Sequence, residues 1–152
     1  IMLMKTHVAF AALFALIAIE YTSISNQILF FLLVLFGALL PDVDHPKSTL
    51  GKYVKIIGKL FKHRGIFHSL FALPLVALLL YWLLDTTLFT YPLLLGYVSH
   101  LLGDMLSKEG IKPFTPLSNW TWKGGWFRVG SPTEFIILGL LIALDGYLLL
   151  HL

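Results

Sequence analysis

The chain contains no cysteine, so disulfides, thiolate zinc sites and cysteine nucleophiles are excluded. Charge is nearly as scarce: 12% of its 152 residues are charged, against about 25% in soluble domains. With 58% hydrophobic residues and a mean hydropathy of +0.86, the chain reads neither as disordered nor as an ordinary soluble domain. There is no HExxH, which argues against a membrane zinc protease. No repeat, linker or low-complexity segment interrupts the chain. Acids are outnumbered by bases, giving a net charge of +3. In a membrane chain such an excess marks basic cytoplasmic loops facing anionic lipid, so no nucleic-acid partner is expected.

What is present is grease in long runs. The pattern predicts an all-α fold, a polytopic membrane helical bundle of about five transmembrane helices forming a single domain over 1–152. The apolar stretches run from Thr6 to Ile24, Gln27 to Leu40, Gly65 to Leu84, Leu88 to Met105 and Glu134 to Leu152. Several fall short of the ~20 residues of a full span, as suits helices sunk in a thinned bilayer. The first stretch lacks an obvious small-residue cleavage site before Asn26 and is expected to be a helix of the bundle, not a cleaved leader.

Basic residues orient the bundle. The segment 42–64 carries Lys47, Lys52, Lys55, Lys59, Lys62 and Arg64, and the segment 107–134 carries Lys108, Lys112, Lys123 and Arg128. The connections 22–26 and 85–91 carry none. The positive-inside rule places the N-terminus and both basic loops in the cytoplasm. Within the first loop Leu50, Tyr53, Val54, Ile57, Leu60 and Phe61 recur at helical spacing with the lysines opposite, predicting an amphipathic interfacial helix on the inner leaflet. The tryptophans Trp120, Trp122 and Trp126 in the second loop suit headgroup depth.

Ionisable groups near membrane depth point to function by default. On this topology His7, Asp42, Asp44, His63, His68, His100, Asp104 and Glu134 all fall toward the cytoplasmic side, although the topology was drawn from Lys and Arg alone. Imidazole and carboxylate are the ligands of Zn²⁺, Mn²⁺ and Fe²⁺. His100 and Asp104, four residues apart, share one helix face. Pro41-Asp42-Val43-Asp44-His45-Pro46 presents two carboxylates on alternate positions of a segment stiffened by prolines, able to bridge two ions. His63-Arg64-Gly65-Ile66-Phe67-His68-Ser69 sets a guanidinium between two imidazoles, well placed to grip a phosphate.

Each signal alone has a plain alternative: a packing pair, an Asp-rich turn, an interfacial histidine, a solvated basic face. Their agreement across five elements favours a metal site. Glu20 and Asp145 fall at the other ends of their spans and read as interfacial or interhelical groups. A Ser-His pair through Ser69 and His68 is poor, since adjacent helical residues point apart.

Leu40-Pro41-Asp42-Val43-Asp44-His45-Pro46, the 63–69 segment, and Gly96-Tyr97-Val98-Ser99-His100-Leu101-Leu102-Gly103-Asp104 resemble the YdjM-type membrane-bound metal-dependent hydrolases over nearly the whole chain. A fainter likeness reaches the zinc-dependent phospholipase C and P1-nuclease group, where Thr6-His7, Pro41-Asp42-Val43-Asp44 and His100 to Asp104 are similar in order to that group's ligand motifs. Gly130 stands where that group has a histidine, which implies one or two divalent ions, zinc first and manganese or iron as alternatives, instead of three. The resemblance implies His7, Asp42, His68, His100, Asp104 and Glu134 as metal ligands. Asp44 would bridge, orient a histidine or act as general base, and His63 with Arg64 would neutralise charge on a phosphoryl group.

The expected activity is hydrolysis of a phosphoester in a lipid or lipid-linked substrate at the cytoplasmic face of the inner membrane. The bilayer itself is the other expected partner. A divalent-metal transporter would need ligands near the midplane and a polar path to both sides, and the opposite half of the bundle is almost bare of polar residues. A metal-stabilised scaffold would present a closed site with no open coordination position.

Overall fold

Start and stop signals set the helices. The computed structural model describes residues 3–44, 66–84 and 86–152. Helix α1 spans Met4–Tyr21 and α2 spans Gln27–Gly37, the latter capped by the Asn26 side chain, which accepts from Leu29 N at 3.0 Å. Two 3₁₀ turns follow, Pro41–Asp44 and Ile66–His68. Helix α3 is Ala72–Leu84 and α4 is Thr87–Leu106, the latter opened by Thr86. Helix α5, Pro132–Leu149, begins with a Ser131 cap and proline in the first turn, where a missing amide hydrogen does no harm. The described residues contain no strand, and the 107–131 segment holds only two isolated β-bridges, Ser107 with Phe127 and Ile111 with Trp122. The all-α expectation stands.

Of the five expected spans, two meet the length and hydropathy of a membrane crossing among the described residues. Only α1 and α5 are long and apolar enough to cross a bilayer. The second apolar stretch leaves the helix after Gly37, so α2 has 11 residues, about 16 Å of rise against a ~30 Å hydrocarbon core. The third is consumed at its start by the turn at 66–68 and leaves 13 residues to α3. Helix α4 has the length but carries Thr90, Ser99, His100 and Asp104. The amphipathic helix expected over 50–62 lies outside the described residues.

Helix α4 is the hub. It packs against α1, α2 and α3, while α5 packs on α1. Small residues let the backbones close: Ala11 and Ala15 of α1 are fully buried with Val34 and Ala38. Gly37 and Gly96 make the close approach between α2 and α4. A Cβ at Gly96 would lie 2.0 Å from the Val34 carbonyl oxygen, and one at Gly37 would lie 2.2 Å from that of Leu93. That closeness draws the Pro41–Asp44 turn toward the C-terminal half of α4.

Candidate metal centre

Four segments of the chain meet at one buried point. His7 comes from the second turn of α1, Asp42 from the first 3₁₀ turn, His68 from the second, and His100 and Asp104 from α4. His7, His68, His100 and Asp104 are essentially removed from solvent, and Asp42 is nearly so. Two groups of ligand atoms lie within 4.8 Å of one another, His7 with His100 and Asp104, and Asp42 with His68 and His100. His100 belongs to both.

The distances suit ligand atoms gathered around a cation. His7 Nε2 is 3.4 Å from Asp104 Oδ1, and His68 Nε2 is 3.6 Å from Asp42 Oδ1. The other carboxylate oxygen, Asp104 Oδ2, lies 3.8 Å from His68 Nε2 and 3.9 Å from His100 Nε2. His100 Nε2 is also 3.8 Å from Asp42 Oδ1. These gaps are longer than the usual N–H···O distance. Ligand atoms about 2.0–2.1 Å from a tetrahedral zinc stand roughly 3.3–3.4 Å apart, close to the shorter of them. Among the described residues, neither ring nitrogen of His7 nor Nε2 of His100 has a hydrogen-bond partner, a costly arrangement that a cation relieves. Three imidazoles with two carboxylates suit a divalent ion in donor type and charge. The residues fit the group the family resemblance implies.

Local structure holds each donor in place. His100 Nδ1 lies 2.7 Å from the Ala38 carbonyl oxygen and donates to it, which fixes the tautomer and leaves Nε2 facing the carboxylates. The His7 ring stacks on that of His100 with centroids 3.8 Å apart and planes 4° from parallel. The Tyr97 hydroxyl donates to the Phe67 carbonyl, and Leu70 N donates to Pro113 O at 2.9 Å, so the turn bearing His68 is tied to α4 and to the 107–131 segment. Asp104 closes α4: its carbonyl accepts from both the amide and the hydroxyl of Ser107. Burial pushes the Asp42 carboxyl up, but the imidazoles of His68, His100 and His7 around it outweigh burial and hold it below the usual carboxylate value.

Glu134 does not join these five. It is fully buried, yet its Oε1 accepts from Leu3 N and its Oε2 from Gly130 N, each at 2.6 Å. In this geometry the expected ligand acts as a staple between two backbone amides. It satisfies the amide at the start of α1, which has no side-chain cap of its own, and binds it to the start of α5. His7 sits one turn beyond that staple. His63 and Arg64 lie outside the described residues, and of Asp44 the structure describes the backbone turn alone. Tyr97 and Ser107 position the centre and were not singled out by sequence reasoning, because their partners are backbone groups that no motif records.

A family model for the YdjM inner membrane protein matches residues 2–151. The chain is 40% identical over 88 residues to the inner membrane protein YdjM of Escherichia coli strain K12, and equally to that of Shigella flexneri. Each match covers 51% of this chain and 44% of the relative, so the chain matches less than half the length of those two proteins. It is 30% identical over 116 residues to the uncharacterized protein YvsG of Bacillus subtilis strain 168, covering 70% of each. No solved structure matches.

Proposed function

The chain belongs to the YdjM inner membrane protein family, and from that premise we propose that it is a metal-dependent hydrolase of the inner membrane, cleaving a phosphoester of a lipid or lipid-linked substrate. The observation that carries the reading is the buried meeting of His7, Asp42, His68, His100 and Asp104 from four separate segments. Such a cluster is expensive to bury and fits one or two divalent ions, with zinc first and manganese or iron as alternatives. When bound, such an ion supplies Lewis acidity to a phosphoryl oxygen and lowers the pKa of water toward ~7.

The rest belongs to the chain's own groups. The Asp104 carboxylate turns Oδ1 to His7 and Oδ2 to His68 and His100, so it would share in holding an ion with those imidazoles. His100 is locked by the Ala38 carbonyl, so its orientation needs no rearrangement on binding. Asp44 follows Asp42 in the same turn and is assigned the role of general base or orienting carboxylate. His63 and Arg64 are assigned the developing negative charge on the phosphoryl oxygens, from their place in the sequence before His68. From the lysine and arginine distribution we assign this end of the bundle to the cytoplasmic face. Exposed Trp120, Trp122 and Trp126 on the adjoining segment suit the headgroup layer, where an anionic lipid head would enter.

The test uses metal-loaded protein in nanodiscs with a panel of phosphatidic acid and other lipid phosphates, reading phosphate release. Release by the wild type and none by Asp104→Ala is the expected result. Tight metal binding with no release across the panel would overturn the hydrolase reading and favour a metal-stabilised scaffold.

A further inference from the structure

At the end of the bundle away from the metal centre, α1 and α5 part to form a cleft that the proposed chemistry does not use. Its volume is about 400 Å³, within the range of small-molecule sites. Glu20 and Tyr21 line it from the last turn of α1, and Tyr147 and His151 from the end of α5 and the turn after it. Toward the middle of the bundle the walls turn apolar. Leu13 and Ile17 stand two turns and one turn before Glu20, and Leu144 one turn before Tyr147. The rings of Tyr147 and His151 lie against each other, with centroids 4.2 Å apart. His151 Nδ1 donates to the Tyr147 carbonyl oxygen at 2.7 Å, which leaves Nε2 as an acceptor.

Glu20 has no counter-ion among the described residues. No basic side chain lines the cleft, and every Lys and Arg of the sequence stands at Lys5 or within 47–64 and 108–128. Lys5 opens the same helix, about 22 Å away along its axis. Helices α1 and α5 are the two described helices long and apolar enough to cross a bilayer, so their shared end falls at headgroup depth, where tyrosines settle. A carboxylate, two phenol rings and an imidazole acceptor around one cleft suit an organic ammonium, through charge, cation–π attraction and accepted N–H bonds. One carboxylate and one imidazole are too few for a closed tetrahedral metal site. The apolar walls continue the cleft toward the hydrocarbon core, as a ligand with chains requires.

We infer that this cleft binds the primary ammonium of an aminophospholipid headgroup, with Glu20 as its counter-ion, Tyr21 and Tyr147 as ring walls, and the chain carbons against Leu13, Ile17 and Leu144. A primary ammonium donates three hydrogen bonds and a trimethylammonium none, so the site prefers ethanolamine heads to choline heads. The ring contribution needs no N–H and serves both heads alike. The site stands at the opposite end of α1 from His7 and does not depend on the reading of the metal centre.

The experiment is native mass spectrometry of the full chain in detergent, reading single-lipid binding. Phosphatidylethanolamine, its N,N-dimethyl form and phosphatidylcholine are titrated with identical acyl chains. Binding should fall in that order, by about fivefold from first to last. Glu20→Gln should bring the three to within about twofold of one another. Tyr147→Leu should weaken all three by about threefold and keep their order. Both residues are exposed, so neither change opens the core, and thermal unfolding on the same samples confirms that the fold is kept. Equal binding of the three lipids by the wild type, or an order that survives Glu20→Gln, would overturn the site. Glycerophosphoethanolamine, which carries the head without chains, tests the source of the ammonium. Failure to displace the lipid at equal concentration supports the phospholipid, and displacement would overturn it as the ligand.

Discussion

Helices α4 and α5 are nearly equal in length, at 20 and 18 residues, and opposite in character. Helix α4 buries ten residues, among them Thr90, Ser99, His100 and Asp104, because three other helices cover it. Helix α5 buries only Glu134, in its first turn, and leaves Phe135, Ile136, Leu140 and Ile142 exposed. The difference shows where each helix finds its solvent. Protein surrounds α4, so polar side chains can face inward and find partners, and the hydropathy of the helix falls accordingly. The exposed side of α5 is largely apolar, as suits a helix facing lipid.

Breaking that contrast at its polar pole has the largest expected effect. Asp104→Ala removes the carboxylate shared by three imidazoles. Metal affinity should fall by more than the 10–100-fold typical of outer-shell partners, measured by competition with a chelator, while the protein stays in the membrane fraction. On the lipid-facing pole, Leu140→Arg places a charge near the middle of α5. Membrane insertion should weaken by about 2.5–3.5 kcal/mol, read as a lower membrane-integrated fraction. The same change on an aqueous surface would be nearly silent.

Smaller effects sharpen the contrast between tight and loose packing. Gly96→Ala drives a methyl into the Val34 carbonyl and should cost about 1–3 kcal/mol in thermal unfolding. Glu134→Gln keeps the size of the staple but turns one accepting oxygen into a donor facing an amide. A loss of about 1–3 kcal/mol with metal content unchanged is expected; loss of the metal instead would support Glu134 as a ligand. Gly139→Ala on α5 meets nothing within 4 Å and should be neutral or stabilising by up to about 1 kcal/mol.

The polar pole was the more legible of the two. His7, Asp42, His68, His100 and Asp104 were singled out because ionisable groups are rare in a greasy chain, and the structure brings all five together. Glu134 looked the same by that criterion. Its partners are the amides of Leu3 and Gly130, and backbone groups leave no mark in a sequence. For the same reason nothing in the sequence pointed to Ala38 as the residue that orients His100. The helix lengths were less legible from composition alone. Apolar letters continue past Gly37 through Leu40, but the Gly37–Gly96 contact and Pro41 turn the chain there.

The central claim is that three imidazoles and two carboxylates converge to hold a divalent ion. X-ray absorption at the zinc edge of the zinc-loaded protein tests it most directly. The account predicts nitrogen and oxygen ligands at about 2.0–2.1 Å, with outer-shell scattering from at least two imidazole rings that disappears in Asp104→Ala. A spectrum of hydrated zinc without imidazole scattering, or one unchanged by that substitution, would contradict it.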